Sequence, residues 1–235
     1  MSRQPKSVEP RKRANPDKTF VNSKTKPFQA KTLKQKELFK ALSTSTITFA
    51  TGPAGTGKSH VAIAYACAGL LDGSFDKILL TRPMVPAAYE DIGALPGDIN
   101  DKFTIPYIGP VRPMLDDCLG SGHVDMYLKE DKIVCSPLAF MRGCTFNKTC
   151  IILDEAQNCV PEQLKMLLTR IGQDSKIIIT GDARQSDIKV RNGLEDAVDR
   201  LKWHTDISVI EFSRGDIVRH SIIADILQSY EDNIN

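Results

Sequence analysis

Six short segments of the chain are almost continuous in apolar and β-branched residues. Runs of this length without alternating polar positions are typical of strands that are buried on both faces of a sheet. The six predicted strands are Thr46 to Ala50, Lys77 to Thr81, Lys132 to Cys135, Thr149 to Leu153, Lys176 to Thr180 and Ile207 to Glu211. Buried strands of this kind predict a parallel sheet rather than an open antiparallel one.

The segments between the strands carry apolar residues at helical spacing, so that one face of each would be buried. Pro161 and Gly172 are expected to start and stop one of these helices, and Asp216 to cap another. The apolar faces are 164, 167, 168 and 171; 194, 197, 198 and 201; and 223, 226, 227 and 230. The alternation of strands and helices predicts an α/β fold, with helices on both faces of the sheet.

The stretch from Pro83 to Ser121 interrupts this alternation. It contains six prolines and is the least regular part of the chain. Long segments between regular elements are uncommon in compact domains and are often functional. We therefore expect a long functional insertion here.

Composition and length indicate one globular domain. Hydrophobic residues make up 41% of the 235 residues and charged residues 26%, which is enough apolar material for a sizeable core. The longest apolar run, Val61 to Leu71, has 11 residues, whereas about 20 are needed to cross a bilayer. Since no apolar segment follows Met1 as a secretory signal would, we expect no membrane span and a cytoplasmic location.

Charge is distributed unevenly along the chain. Residues 1–40 hold 12 basic and 3 acidic side chains, a net of +9, and the remaining residues have a net of −7. Residues 1–27 include four prolines and few aliphatic residues, so they cannot bury enough surface to fold alone. We expect a flexible basic arm over 1–27 and a folded domain over 28–235. Such an arm could bind nucleic-acid phosphates or simply aid solubility.

Cysteines and histidines give no sign of a metal centre. The six cysteines contain no C-x-x-C pair, and the four histidines do not have the spacing of metal ligands. In a reducing compartment, such cysteines are expected to be small buried apolar side chains. A zinc site is not predicted.

The strongest functional signal is a glycine-rich segment between the first strand and the following helix. Its sequence matches the P-loop pattern G-x-x-x-x-G-K-[ST] in the context that this pattern requires. Backbone N–H groups and the helix N-terminus would hold phosphates there, Lys58 would reach the terminal phosphates, and Ser59 would bind Mg²⁺. The predicted nucleotide-binding residues are Gly52, Pro53, Ala54, Gly55, Thr56, Gly57, Lys58, Ser59 and His60.

Two carboxylates follow the buried strand Thr149 to Leu153. Asp154 is placed to bind the Mg²⁺ shell, and Glu155 to orient or deprotonate an attacking water. The second acid favours water as the acceptor and therefore an ATPase. A GTPase is disfavoured because the chain has no N-K-x-D. A small-molecule or nucleotide kinase and an ATP-switched binding module without motor activity remain as alternatives.

Two glutamines are candidate readers of the nucleotide. Gln185 comes shortly after the strand Lys176 to Thr180, where an amide could sense the terminal phosphate. Gln35 lies on a predicted helix, Leu33 to Leu42, before the P-loop, where its amide could contact the adenine edge. Without the neighbouring motifs, Gln35 would be interpreted as a surface residue. For Gln185, a surface role and a functional role would then be about equally plausible.

Taken in order, these segments resemble the PhoH-like family of P-loop ATPases. The resemblance extends over about residues 31–230. The matching blocks are GPAGTGKS (52–59), TRP (81–83), LPGD (95–98), PY (106–107), SPLAFMRG (136–143), IILDEAQN (151–158), LTRIG (168–172), TGD with Gln185 (180–185) and DIVRH (216–220). Ala94, ahead of LPGD, is smaller than the residue expected there, and the basic arm has no clear counterpart in the family.

The resemblance implies a RecA-like parallel sheet in a single motor domain, similar to the first domain of superfamily 1 helicases. It implies ATP and Mg²⁺ as cofactors, a homo-oligomeric ring that we expect to be a hexamer, and RNA or single-stranded nucleic acid as a partner. Hydrolysis usually needs an arginine besides the P-loop lysine. Because no second motor domain supplies one, we expect Arg219 from a neighbouring subunit, with Arg142 and Arg214 as second choices.

Overall fold

A computed structural model describes residues 28–83, 99–188 and 192–218, with backbone alone for 99–107. Its centre is a sheet of six strands in the order β3-β2-β4-β5-β1-β6. All of the strand pairs are parallel, which confirms the predicted α/β fold. The strands are β1 (Ile47–Thr51), β2 (Lys77–Thr81), β3 (Ile133–Cys135), β4 (Thr149–Leu153), β5 (Lys176–Gly181) and β6 (Ile207–Glu211).

Strand order decides which residues meet at the carboxyl edge of the sheet. β5 lies between β1, which leads into the P-loop, and β4, which leads into the two carboxylates. Residue 51 of β1 is level with residue 181 of β5, and residue 153 of β4 is level with residue 179. The carboxyl ends of three strands therefore meet at one place, as is general for ligand sites in parallel sheets.

The described residues form six α-helices, and local sequence fixes several of their ends. Thr32 caps the first helix, because its Oγ1 accepts a hydrogen bond from the Gln35 backbone at 3.1 Å. Asn192 caps the last helix in the same way, through the Leu194 backbone at 2.9 Å. The helices are α1 (Leu33–Thr44), α2 (Lys58–Asp72), α3 (Ile99–Leu119), α4 (Ser121–Lys129), α5 (Pro161–Leu168) and α6 (Gly193–Leu201).

The core has two parts, one on each face of the sheet. Consecutive residues of β5 show this division, because Ile178 packs into one cluster and Ile177 and Ile179 pack into the other. The first cluster includes side chains from α1, α2 and α3, and the second includes side chains from α5 and α6. Burial on both faces explains why the strands lack alternating polar residues.

The segment predicted to be irregular contains the longest helix of the described residues. α3 has 21 residues and includes three of the prolines, which disfavour a helix interior because they lack an N–H donor. Val111, Leu115 and Leu119 are spaced four residues apart and are all buried in the first core cluster. Burial of this face stabilises the helix, so the expectation of irregular structure is wrong for residues 99–119. Residues 84–98, with Ala94 and LPGD, lie outside the described residues.

Other boundaries also differ from expectation or lie outside the described residues. α5 ends at Leu168, earlier than the stop predicted at Gly172. Asp216 lies in a 3₁₀ turn, Arg214–Asp216, and the helix predicted after it falls outside the described residues, as does the arm over 1–27. Within the described part of the chain, no helix combines the length and apolar character required to cross a membrane.

Candidate nucleotide-binding site

The P-loop joins β1 directly to α2 at the carboxyl edge of the sheet. Gly52, Gly55 and Gly57 all have positive φ, at 123°, 82° and 85°, which residues with a Cβ rarely adopt. Space matters as well as conformation. A Cβ on Gly52 would lie 2.2 Å from the Phe212 carbonyl oxygen, and one on Gly57 would lie 2.6 Å from Nε2 of Gln35. The glycine spacing therefore reflects close packing beneath the loop as well as the turn itself.

Lys58 is the first residue of α2, and its side chain is folded back over the loop. Its Nζ donates to the carbonyl oxygens of Gly52 at 2.6 Å and Pro53 at 2.8 Å. The residue is only 8% exposed. A cation held over the loop lies where the phosphates of a nucleotide would bind.

Gln35 lies beneath the P-loop. Its Nε2 donates to the Thr56 carbonyl at 2.9 Å, and its Oε1 accepts from the Lys31 backbone at 2.8 Å. Gln35 is buried and Thr56 is fully buried. The side chain thus supports the loop from α1, and its predicted contact with adenine stays a prediction.

Asp154 and Ser59 are brought together from β4 and α2. Ser59 Oγ donates to Asp154 Oδ1 at 2.9 Å, and Thr180 Oγ1 of β5 donates to the same oxygen. A hydroxyl and a carboxylate are hard oxygen ligands that suit Mg²⁺, which usually takes few protein ligands together with substrate phosphates. The described residues include no group of three acidic, histidine or cysteine side chains that could hold a metal ion alone. The donor set fits a magnesium ion that is shared with a nucleotide.

Glu155 has an unusual backbone and a fixed side chain. Its φ is +55°, in the left-handed region that non-glycine residues seldom adopt and that is often found at functional sites. Oε2 accepts a hydrogen bond of 2.6 Å from Nε2 of Gln157, and Oε1 of Gln157 accepts from the Asp182 backbone at 3.0 Å. The glutamate is thereby linked to the turn that follows β5.

A cleft of about 290 Å³ opens above these residues. The predicted residues that line it are Ala54, Gly55, Gly57, Lys58, Ser59, His60, Asp154, Glu155 and Gln185. Gly52, Pro53 and Thr56 belong to the same loop without lining the cleft, and Arg219 lies outside the described residues. Sequence reasoning thus selected residues that the fold brings together, although their chemical roles stay predictions.

Several cleft residues were missed by sequence reasoning. Met114 lines the cleft from α3, the helix that was not predicted. Gly181 and Asp182, inside the TGD block, line it from the end of β5. Thr180 donates a hydrogen bond to the carboxylate of Asp154, and Gln157 donates one to the carboxylate of Glu155. For Asp182, the available signal was a polar residue directly after the buried strand β5.

The chain after β6 returns to the P-loop. The Val218 backbone donates to the Gly55 carbonyl at 3.1 Å. Ser213 donates to Asp216 through its backbone at 2.9 Å and its hydroxyl at 2.8 Å, and these bonds lower the pKa of the Asp216 carboxyl. Arg214 is in this turn and Arg142 follows the 3₁₀ turn Leu138–Met141, but neither lines the cleft.

Comparison with known proteins identifies similar sequences over most of the chain. A family model described as PhoH-like protein matches residues 27–231. A PhoH-like protein of Bacillus subtilis is 43% identical over 212 residues, which cover 89% of this chain and 66% of that protein. Protein PhoH of Escherichia coli is 38% identical over 210 residues, covering 88% of this chain and 59% of that protein. The chain thus spans less than two thirds of the length of both relatives.

Among solved structures, the crystal structure of Pif1 helicase from Candida albicans is similar over 84% of this chain and 43% of that chain. The sequence identity is 20% and the TM-score is 0.44.

Proposed function

The chain belongs to the PhoH-like protein family, and we propose that it binds ATP with Mg²⁺ and hydrolyses the terminal phosphate. One observation carries this proposal. Lys58, the Ser59–Asp154 pair and Glu155 line a single cleft at the carboxyl ends of β1 and β4. A phosphate-binding cation, a magnesium-binding oxygen pair and a second carboxylate are the groups that ATP hydrolysis requires.

Each group has a separate role in the proposed reaction. Backbone N–H groups of the P-loop and Lys58 bind the phosphates, while Ser59 and Asp154 would hold Mg²⁺, which supplies charge neutralisation at the phosphate oxygens. Glu155 orients the attacking water and accepts its proton. Gln185, which also lines the cleft, contacts the terminal phosphate in the proposed reaction.

Hydrolysis is favoured over transfer to another acceptor by the position of Glu155. Glu155 lines the cleft together with Asp154, where an attacking water could be held. We propose further that turnover is coupled to binding or remodelling of RNA or single-stranded nucleic acid. The net charge of +9 over residues 1–40 supports that part of the proposal.

The test measures phosphate release with and without single-stranded RNA and DNA. Lys58→Ala should abolish turnover and weaken ATP binding. Glu155→Gln should also abolish turnover but leave ATP binding largely intact, because it removes only the group that acts on water. Hydrolysis by Glu155→Gln at the wild-type rate would show that the catalytic assignment is wrong. Phosphate found on an added acceptor would indicate a kinase, and tight ATP binding without turnover would indicate a switch.

A homo-oligomeric ring is proposed because the cleft is short of positive charge. Among the described residues that line it, Lys58 is the only lysine or arginine. We propose that Arg219 of a neighbouring subunit completes the site, which requires a head-to-tail interface. Mixing tests this directly: Lys58→Ala and Arg219→Ala subunits should each be inactive alone, yet regain activity in mixed rings. No recovery in rings shown to be mixed, or a fully active monomer, would refute the proposal.

A further inference from the structure

Gln157 is a buried amide that does not line the cleft but contacts the proposed catalytic glutamate. It is 2% exposed and lies in the 3₁₀ turn Ala156–Asn158 after β4. Its Nε2 donates to Glu155 Oε2 at 2.6 Å, a short hydrogen bond to a carboxylate. Such charge-assisted bonds are about twice as strong as neutral ones and fix direction as well as distance.

The other end of the same amide holds the turn after β5. Oε1 of Gln157 accepts from the Asp182 backbone at 3.0 Å. The approach is close, because a Cβ on Gly181 would lie 2.7 Å from that oxygen. Glycine at position 181 is therefore needed for this contact. A single side chain thus joins the chain after β4 to the chain after β5.

The turn held by Gln157 is the one that carries Gln185. The Gln185 backbone donates to the Asp182 carbonyl at 2.9 Å, and Ser186 Oγ donates to the Gln157 carbonyl at 3.0 Å. A shift of Gln185 would therefore be passed to Asp182 and then to Gln157. The carboxylate of Glu155, which accepts from Nε2 of Gln157, is the end point of this connection.

We propose that Gln157 is a positioning residue that couples Gln185 to the carboxylate of Glu155. When Gln185 contacts the terminal phosphate of ATP, the turn over residues 182–186 moves, and the amide of Gln157 moves the carboxylate with it. Glu155 is then oriented for water attack only when a third phosphate is present. This inference rests on the proposed ATP hydrolysis, but the coupling itself can be measured without turnover.

Amide hydrogen exchange tests the coupling without hydrolysis. We compare Mg²⁺ with ADP and Mg²⁺ with a non-hydrolysable ATP analogue. In the wild-type protein, the analogue should slow exchange in residues 182–186 and also in residues 155–158. In Gln157→Met, which keeps side-chain length but has neither donor nor acceptor, only residues 182–186 should respond. In Gln185→Ala, neither segment should respond.

Kinetics test the consequence for the reaction. Gln157→Met should lower kcat about 10- to 100-fold, the effect of losing one hydrogen bond to a charged group, and change nucleotide affinity less than about 2-fold. Gln157→Glu keeps an acceptor for Asp182 but places a second carboxylate against Glu155, and should lower kcat at least as much. The double variant Gln157→Met, Gln185→Ala should be no slower than the slower single variant, because both changes break one connection.

Gln163 provides a matched control. Its amide accepts from the Val160 backbone at 3.0 Å at the start of α5, away from the cleft. Gln163→Met should therefore leave kcat within about 2-fold of wild type while lowering stability as the loss of a cap does.

The outcomes separate the two proposals. Equal responses of residues 155–158 in wild type and Gln157→Met, or no response in wild type, would overturn the coupling. Effects on kcat that multiply in the double variant would also overturn it. A wild-type protein that releases no phosphate would refute the proposed function, while the exchange experiment would still decide whether the coupling exists.

Discussion

Thr81 and Thr180 approach Asp154 from the two strands that flank β4, and replacing each with valine should change stability in opposite directions. Both are buried, at 3% and 0% exposed. Thr81 is the last residue of β2, and Thr180 is the next-to-last residue of β5. Thr180 Oγ1 donates to the Asp154 carboxylate, whereas Thr81 Oγ1 is buried and has no hydrogen-bond partner among the described residues. Because valine has nearly the same shape and is also β-branched, the two changes differ mainly in the hydroxyl's partner.

The magnitudes follow from these contacts. Removing the unpaired hydroxyl of Thr81 relieves a desolvation cost, so Thr81→Val should raise the free energy of unfolding by about 1 kcal/mol. Thr180→Val removes a hydrogen bond to a charged group, so it should lower that free energy by about 1.5–3 kcal/mol. For a domain of this size, these values correspond to a Tm higher by about 2–4 °C and lower by about 3–12 °C.

Urea unfolding followed by far-ultraviolet circular dichroism, in EDTA and without nucleotide, measures both values. Equal slopes against urea for the two variants and wild type would show that the unfolded surface is unchanged, so that midpoints can be compared. If both variants lose stability by similar amounts, the hydrogen-bond partner is not what distinguishes the two sites, and this account of the carboxyl edge is refuted.

Three other changes have expected outcomes. Gly57→Ala should lower the free energy of unfolding by at least about 1 kcal/mol more than Gly73→Ala does, as measured by urea unfolding. Both glycines have positive φ, but only Gly57 faces a buried amide, that of Gln35. Equal losses of stability would contradict this. Cys144, which is exposed, should be alkylated before Cys150, because burial raises the pKa of the Cys150 thiol to about 12; peptide mass mapping would show the order. Deleting residues 1–27 should flatten the salt dependence of RNA binding; an unchanged slope would exclude a role for the arm.

The sheet could be predicted from sequence because its signal is local. Each strand is a short run of residues such as Ile177, Ile178 and Ile179, buried on both faces, so that no register or partner needs to be known to find it. The structure confirms β2, β4 and β6 with unchanged bounds. It shifts β1 by one residue at both ends, and β3 and β5 by one residue at one end. The P-loop could be found equally well, because glycine spacing is a direct requirement of the turn.

The parts that sequence reasoning missed depend on contacts between distant segments. The prolines of α3 argued against a helix in the sequence. The burial of Leu115 in the same core cluster as the side chains of α2 stabilises the helix, and this burial is visible only in the fold. Gln157 was hidden because its partners are Glu155 and the Asp182 backbone, and the second lies 25 residues away along the chain. A polar residue after a buried strand is a signal of function, but the sequence alone does not say which atoms it joins.

Several side chains that line the cleft already have hydrogen-bond partners in the protein, which affects how a nucleotide would bind. Lys58 donates to P-loop carbonyl oxygens, Ser59 donates to Asp154, and Glu155 accepts from Gln157. At Lys58, Ser59 and Asp154, ATP and Mg²⁺ would therefore replace existing hydrogen bonds rather than add new ones. Each such replacement gives only a small net gain in binding free energy. Modest ground-state binding favours turnover, because interactions that strengthen only in the transition state raise kcat without slowing product release.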